Sequence, residues 1–429
     1  MNYRSIEKVA RDLHLSVKAV RRCVASGELR AVKMKNVYKI SDEDFEAFKN
    51  ATLSTLQVCG TDLFGNPIYA EPSKSEKKAA TKSTRPAVEW TEIARFWKKP
   101  TVSKGTFVDL FCGAGGLTKG LELAGFEGIC GLDWFQEAGE TYARNFGHPF
   151  VDGDIKLPEV KERFYETVRN RLNGRKLTLV AGGFPCQGFS LSGNRIVDDP
   201  RNSLYLELIE IVKNLQPEFV LCENVKGLRS MLGGRVEAKI LDDLKEIGYE
   251  ANATVLCAAD YRVPQKRERI IFIGNRIGAK NYWPKPLLKP ENYVTTGEAI
   301  ADLMEREPDA AFNHLPTKHR PDMVARMAAL KEGESLYKGY SDAWKKCPWD
   351  EASCTIKENH GGVNVHPKLP RVLTAREMAR LQSFDDDFIF EGPKNKQLVQ
   401  IGNAVPPLLG KAIGLAIRVS LGELGKKRK

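Results

Sequence analysis

The segment Gly182-Gly-Phe-Pro-Cys-Gln-Gly-Phe-Ser190 sets one cysteine, Cys186, after a proline and between glycines, just beyond the apolar run Leu179-Val-Ala181. With no bulky aliphatic neighbour and a long loop around it, this thiol is presented rather than packed, although a lone cysteine is more often a buried structural one. Its thiolate is a candidate nucleophile. Glu223-Asn-Val225 closes another apolar run and brings a carboxyl that can hold or give a proton. In Gln265-Lys-Arg-Glu-Arg269 the two arginines, Arg267 and Arg269, stand two residues apart, and on a strand that spacing turns both guanidinium groups to one face. A solvated edge strand would look the same, but the Gly182–Ser190 loop argues for a site. A thiol, a carboxyl and two cations suit covalent catalysis, with the acid and the cations stabilising charge that develops as the nucleophile adds.

A second group of residues suits a nucleoside. Phe107-Val-Asp-Leu-Phe-Cys-Gly-Ala-Gly-Gly-Leu117 reads as a strand entering a glycine-rich turn and then a helix. Gly113, Gly115 and Gly116 allow close backbone approach or positive φ. Thr118 occupies the position of the third glycine of a dinucleotide fingerprint, and no Gly-Lys-Ser/Thr follows, so the loop is not built for phosphate. Asp133, some twenty residues on, can grip ribose hydroxyls, Trp134 beside it offers a flat face to adenine, and Asp154 can accept a hydrogen bond from an exocyclic amine.

These residues need a scaffold that brings strand ends together. Short β-rich runs (Phe107–Leu110, Leu177–Val180, Phe219–Cys222, Ile270–Ile273) alternate with helical stretches, which implies an α/β fold with a parallel sheet covered on both faces. In such a sheet ligands lie at the carboxyl ends of the strands, where Cys186 and Glu223 both fall. The 429 residues suffice for one large core and a smaller module, and the formal net charge of +11 points to a polyanionic partner. Nine cysteines without a C-x-x-C pair give no disulfide framework and no zinc site, and suit a reducing cytoplasm. No run approaches membrane-spanning length, so no membrane partner is expected.

At the N-terminus, Ile6, Val9, Ala10 and Leu13 share a helical face, and Ser16 can cap a second helix from Val17 to about Ala25 with Lys18, Arg21 and Arg22 outward. A basic hairpin follows over Arg30–Lys39, and Ser41-Asp-Glu-Asp44 opens a third helix. Eleven basic against seven acidic residues give residues 1–50 a net charge of +4. The arrangement resembles the winged helix-turn-helix of excisionase-like regulators, which implies a recognition helix in the major groove and a wing on the backbone. Residues 71–86 contain no large apolar side chain and read as flexible linker.

Six motifs then occur in one order: Phe111-x-Gly-x-Gly115, Pro185-Cys-Gln187, Glu223-Asn-Val225, Gln265-x-Arg-x-Arg269, Arg371-x-Leu-Thr-x-Arg-Glu-x-Ala-Arg-Leu-Gln382 and Gly402-Asn-Ala-Val405. That order resembles the DNA (cytosine-5) methyltransferases over about residues 105–420. The resemblance implies a Rossmann-like S-adenosylmethionine-dependent methyltransferase sheet, S-adenosyl-L-methionine as methyl donor and double-stranded DNA with a flipped cytosine as substrate. It implies Cys186 as nucleophile, Glu223 as the acid at ring nitrogen 3, and Arg269 with Arg267 at the base carbonyl. It implies Phe111, Gly113, Gly115, Asp133, Trp134, Asp154, Ile155, Pro185, Leu204 and Asn403 around the cofactor, with Asn224 and Asn403 supporting the site. Gln187, Ser190 and Thr355 fall on DNA-contacting positions, and the loop from Gly188 to Asn202 has the small polar composition of a lid.

The implied organisation is a winged helix-turn-helix over 1–52, a linker over 53–104, a catalytic and cofactor-binding domain over 105–274, a target-recognition domain over 275–370, the C-terminal part of the catalytic domain over 371–420 and a basic tail over 421–429. Basic and aromatic residues interleave in the recognition interval, as in Asn281–Lys285, Lys318–Arg320, Tyr337–Tyr340 and Trp344–Lys346. Catalysis by a monomer in a bacterial cytoplasm, as the methylase of a restriction-modification system, is the expected setting, with the N-terminal module also free to bind an operator. Two rivals compete: a tRNA cytosine-5 methyltransferase, disfavoured by the long recognition interval, and a non-enzymatic DNA-binding regulator, disfavoured by the intact Cys186, Glu223 and Arg269.

Overall fold

In this computed structural model the described residues are 3–12, 20, 24, 29–34, 37–53, 58–61, 67–69, 88–98, 101–103, 105–185, 203–337, 344–357 and 363–424. The chain divides into a small unit within Met1–Thr84 and a large one that begins at Arg85. Cys186, Gln187 and Ser190, the lid expected over 188–202, and the basic trio Lys18, Arg21 and Arg22 lie outside the described residues.

In the small unit β1 (Tyr3–Ser5), β2 (Val32–Met34) and β3 (Val37–Ser41) form an antiparallel sheet in the order β1-β3-β2. Helix α1 (Ile6–Asp12) follows β1, and α2 (Asp42–Leu53) follows β3. The Ser41 hydroxyl accepts the Asp44 N–H at 3.0 Å and caps α2. Ile6, Val9, Val20, Leu29, Ile40 and Phe45 form its core, with Val24 packed against them. The hairpin β2–β3 falls where the sequence predicts it; β1 was not expected, because three residues carry no period and gain strand character only by pairing with β3. A further antiparallel pair joins β4 (Val58–Thr61) to β5 (Pro67–Tyr69).

The large unit opens earlier than the expected boundary at 105. Strand β6 (Glu89–Thr91) pairs in parallel with a strand near residue 283, and Ile93 is fully buried in the core. The linker expected over 53–104 is therefore too long by these residues: their single apolar anchor points show only once their partners are in place.

The central sheet has seven strands: β7 (Thr106–Leu110), β8 (Glu127–Asp133), β9 (Phe150–Asp152), β10 (Leu179–Gly182), β11 (Phe219–Val225), β12 (Glu250–Cys257) and β13 (Glu268–Asn275), in the order β12-β13-β11-β10-β7-β8-β9. Five strands from β9 to β11 are parallel, while β13 runs antiparallel to both β11 and β12. Both faces are covered, which is why the strands read as continuous apolar runs. In β7, Val108 and Leu110 enter one core cluster and Phe107 the other; in β11, Val220 and Cys222 oppose Phe219 and Leu221 in the same way.

The chain runs from β7 outward to β8 and β9, then returns to β10 and β11 on the other side of β7. The crevice of such a sheet opens at this reversal, beyond the carboxyl ends of β7 and β10. The glycine-rich loop leaves β7 there and enters α3 (Gly116–Leu123). The C-terminal helix α4 (Pro407–Ser420) crosses α3 so closely that a Cβ on Gly120 would lie 2.5 Å from the Pro407 carbonyl oxygen. Glycine there permits the backbone contact and fixes the direction of the loop.

The interval expected to choose the DNA sequence begins inside the catalytic core. Strand β14 (Tyr282–Pro284) is the partner of β6, Trp283 is fully buried, and its indole N–H donates to Asn252 Oδ1 at 3.3 Å. Trp283 and Pro284 are thus core, while Lys285 stays exposed and pairs with Glu92 at 2.9 Å. Lys346 corrects the same reading: its side chain is buried and its ammonium donates to the Leu330 carbonyl at 2.9 Å. The rest of 290–370 has short helices and isolated bridges, and packs around a third core cluster with Ile300, Met327, Ile356 and Val365.

Candidate active site

Each crevice residue is held by a strand end. Phe111 follows β7 at φ +56°, a left-handed backbone that costs a non-glycine residue about 1–2 kcal/mol and turns the loop over the crevice. Gly113, at φ +50°, has open space where a Cβ would stand. Gly115, at φ +90°, has the Phe146 ring 2.3 Å from that position, so a side chain would have to displace the ring. Asp133 closes β8 and clasps the loop: its Oδ2 accepts the Gly113 N–H at 2.8 Å and its Oδ1 accepts the Phe135 N–H at 3.0 Å. Burial raises its pKa, and these backbone donors oppose that rise. Asp133 is therefore first a loop clasp.

Trp134 is 75% exposed beside this clasp, the state of an indole that waits for a flat partner. Ile155 is buried, and Asp154 is exposed, with Oδ1 accepting the Lys156 N–H at 3.0 Å. Leu204 is half-buried against the core below, Pro185 is exposed three residues past β10, and Asn403 is exposed at the end of the helix Lys394–Asn403.

On the neighbouring strands the ionisable groups meet. Glu223 Oε1 lies 2.8 Å from Arg269 Nε, and both side chains are 12% exposed. The register across β11 and β13, with Val225 opposite Arg269, brings them together. Gly183, just after β10, leaves room for the carboxylate: a Cβ there would lie 3.2 Å from Glu223 Oε2. Asn224 is buried, donates to the Phe184 carbonyl at 2.9 Å and accepts the Val225 N–H at 2.8 Å. It thereby anchors the backbone two residues before Cys186.

Arg267 is engaged differently from Arg269. It precedes β13, is 2% exposed, and donates to the Ile356 carbonyl at 2.9 Å and the Gly402 carbonyl at 3.0 Å. Burial and the Arg269 charge push its pKa well below the usual arginine range. Thr355 is half-buried, and its hydroxyl donates to the Lys266 carbonyl at 3.1 Å.

Sequence reasoning missed Asp109. It lies in β7, is 1% exposed, accepts the Thr118 hydroxyl at 2.7 Å, and has its carboxyl pushed up to about 7 by burial. The signal was present as one acid inside an apolar strand. Among the described residues no group of three or more His, Cys, Asp or Glu could hold a metal ion, and no helix is long and apolar enough to cross a membrane.

Residues 105–418 match the family model of the C-5 cytosine-specific DNA methylases. The chain belongs to that family. The methylase is 37% identical over 327 residues to the Type II methyltransferase M1.HphI of Haemophilus parahaemolyticus, covering 73% of this chain and 86% of that protein. It is 31% identical over 389 residues to the Type II methyltransferase M.DdeI of Desulfomicrobium norvegicum, covering 73% and 88%. A solved Escherichia coli prophage protein, assigned as a DNA modification methyltransferase, superposes with a TM-score of 0.59 at 27% identity, over 74% of this chain and all of that one. The methylase therefore acts on DNA cytosine and takes S-adenosyl-L-methionine as methyl donor. The crevice fits that molecule: an open space at Gly113, a free indole face at Trp134 and a loop without phosphate-binding glycines.

Proposed function

We propose that the methylase modifies carbon 5 of a cytosine within one specific duplex DNA sequence, through a covalent bond from Cys186 to carbon 6 of a base turned out of the helix. The observation that carries this reading is the Glu223–Arg269 pair at 2.8 Å, next to the Asn224 anchor of the Cys186 loop. Carbon 5 of cytosine is a poor nucleophile. Addition of the Cys186 sulfur to carbon 6 breaks the 5,6 double bond and pushes its electrons onto carbon 5, with charge spreading toward nitrogen 3. Glu223 holds a proton at nitrogen 3 and so stabilises that charge, while Arg269 orients the base through its carbonyl. S-adenosylmethionine, when bound, supplies the methyl group as an electrophile. Loss of the carbon 5 proton then expels the thiolate and restores the ring. Phe111, Gly113, Gly115, Asp133, Trp134, Asp154, Ile155, Pro185, Leu204 and Asn403 form the cofactor side. Gln187, Ser190 and Thr355 meet the DNA strand, and Arg267 serves by positioning.

We also propose a bacterial restriction-modification setting, supported by the Type II relatives, with one chain sufficient for catalysis because every named group comes from it. Residues within 290–370 choose the sequence. Bisulfite sequencing of host DNA expressing the gene tests this: cytosines in one short sequence resist conversion, and Cys186→Ala removes that protection. Uniform conversion with the intact protein overturns it.

The small unit is proposed as a winged helix-turn-helix that binds duplex DNA, beside the target or at an operator. Val20 and Val24, four residues apart, both pack into its core, the spacing of one helical face, which supports this reading. Replacing Lys18, Arg21 and Arg22 by alanine should flatten the salt dependence of DNA binding by the full chain; an unchanged slope contradicts the assignment.

A further inference from the structure

Three residues before β13 the chain forms a buried clamp. Gln265 is fully buried, and its Oε1 accepts the Ile356 N–H at 2.8 Å. Its Nε2 donates to the Leu381 carbonyl at 3.1 Å and to Gln382 Oε1 at 2.9 Å. Gln382, also fully buried, donates onward to the Ile401 carbonyl at 2.7 Å. The partners fix both amides: an N–H can face only oxygen and a carbonyl only nitrogen. Arg267 grips the carbonyl of the same Ile356 whose N–H Gln265 holds. One residue of the recognition interval is thus held at both its N–H and its carbonyl by side chains of the segment that becomes β13.

Backbone bonds extend the contact. Ser353 N–H donates to the Pro264 carbonyl at 3.0 Å and Lys266 N–H to the Ser353 carbonyl at 2.8 Å, forming a parallel bridge between Gln265 and Ser353. The Thr355 hydroxyl adds its bond to Lys266. Two residues past Arg267 stands Arg269, paired with Glu223. A shift of 353–357 on mismatched DNA is costly at Ile356, because Gln265, Arg267 and Gln382 are buried and each bond they lost would leave a buried polar group unmatched. The displacement passes into 265–269.

We propose that Gln265 is a positioning and specificity-determining residue: through the Ile356 clamp it makes the placement of Arg269 depend on how the recognition segment sits on DNA, so that sequence discrimination is expressed in kcat. This rests on the reading of 290–370 as the part that chooses sequence.

The test uses the full chain on a duplex with its preferred site and on the same duplex with one site base changed. Gln265→Met keeps volume and removes the clamp. It should lower kcat on the preferred site about tenfold with the DNA Kd within about twofold, and narrow the kcat ratio between the two duplexes. In an Arg269→Lys background the same change should cost less than about twofold, because its effect runs through Arg269. If Gln265→Met fails to fold, Gln265→Glu, which keeps an oxygen for Ile356 and removes the amide donors, carries the test, with a kcat loss of about threefold and the same non-additivity. Unchanged kcat, additive losses in the two backgrounds, or a loss confined to DNA Kd each overturn the proposal. Absence of methyl transfer by the unaltered protein would instead overturn the functional reading itself.

Discussion

The cofactor side and the recognition side of the catalytic unit are stabilised by different chemistry. On the cofactor side the backbone does the holding: the Gly113 and Phe135 amides close on Asp133, and Phe111 takes a left-handed turn. On the recognition side, buried amide and guanidinium side chains tie Ile356, Leu381, Ile401 and Gly402 to residues 265–267 and Gln382. The first design leaves an open cleft for a small molecule that comes and goes. The second is buried and couples distant segments into one body, which suits a region that must report on a large ligand. Glu223 and Arg269 lie where the two meet.

The sharpest effect belongs to that junction. Glu223→Gln keeps an oxygen for Arg269 but cannot present the proton, so methyl incorporation should slow about a hundredfold or more with folding intact. Arg267→Met should act mainly on stability, because two buried carbonyls lose their donor: chemical denaturation should show a loss of about 3 kcal/mol or more. Asp133→Ala should do the opposite, raising the KM for S-adenosylmethionine about tenfold or more while the unfolding midpoint moves little, since its partners can turn to water. If Asp133→Ala unfolds the protein and Arg267→Met spares it, the contrast between the two sides is wrong.

The smallest effect is on pH. The Asp109 carboxyl titrates in the folded protein at about 7, above its ordinary 3.8. Its ionisation therefore opposes folding: the penalty is absent below about pH 4, grows as pH rises, and is complete above about 7. Asp109→Asn should raise Tm by a few degrees at pH 8 and leave it unchanged at pH 4, as read by thermal melts. A gain equal at both values would assign the effect to packing.

This contrast also explains what could be read from residues alone. The cofactor side was legible because backbone geometry demands glycine and acid at short, fixed spacings, as in Phe111–Gly115 and Asp133. The parallel sheet and the approach of Glu223 to Gly183 just after β10 followed from strand-end placement. The clamp was not legible: Gln265 meets residues 91 and 117 positions away, and nothing local distinguishes a glutamine that bridges segments from one that faces water. For the same reason Trp283 and Lys346 read as surface. Their burial depends on long-range packing that composition and period do not encode.

The central claim is that Cys186 bonds to the target base while Glu223 and Arg269 hold it. It is tested most directly with duplex DNA carrying 5-fluorocytosine at the preferred site, incubated with the full chain and S-adenosylmethionine. Fluorine at carbon 5 cannot leave as the proton does, so the thioether persists. The account predicts a protein band shifted by the mass of the DNA on a denaturing gel, dependent on S-adenosylmethionine and lost in Cys186→Ala. An unshifted band from protein that methylates the ordinary duplex, or a shift that survives Cys186→Ala, would contradict it.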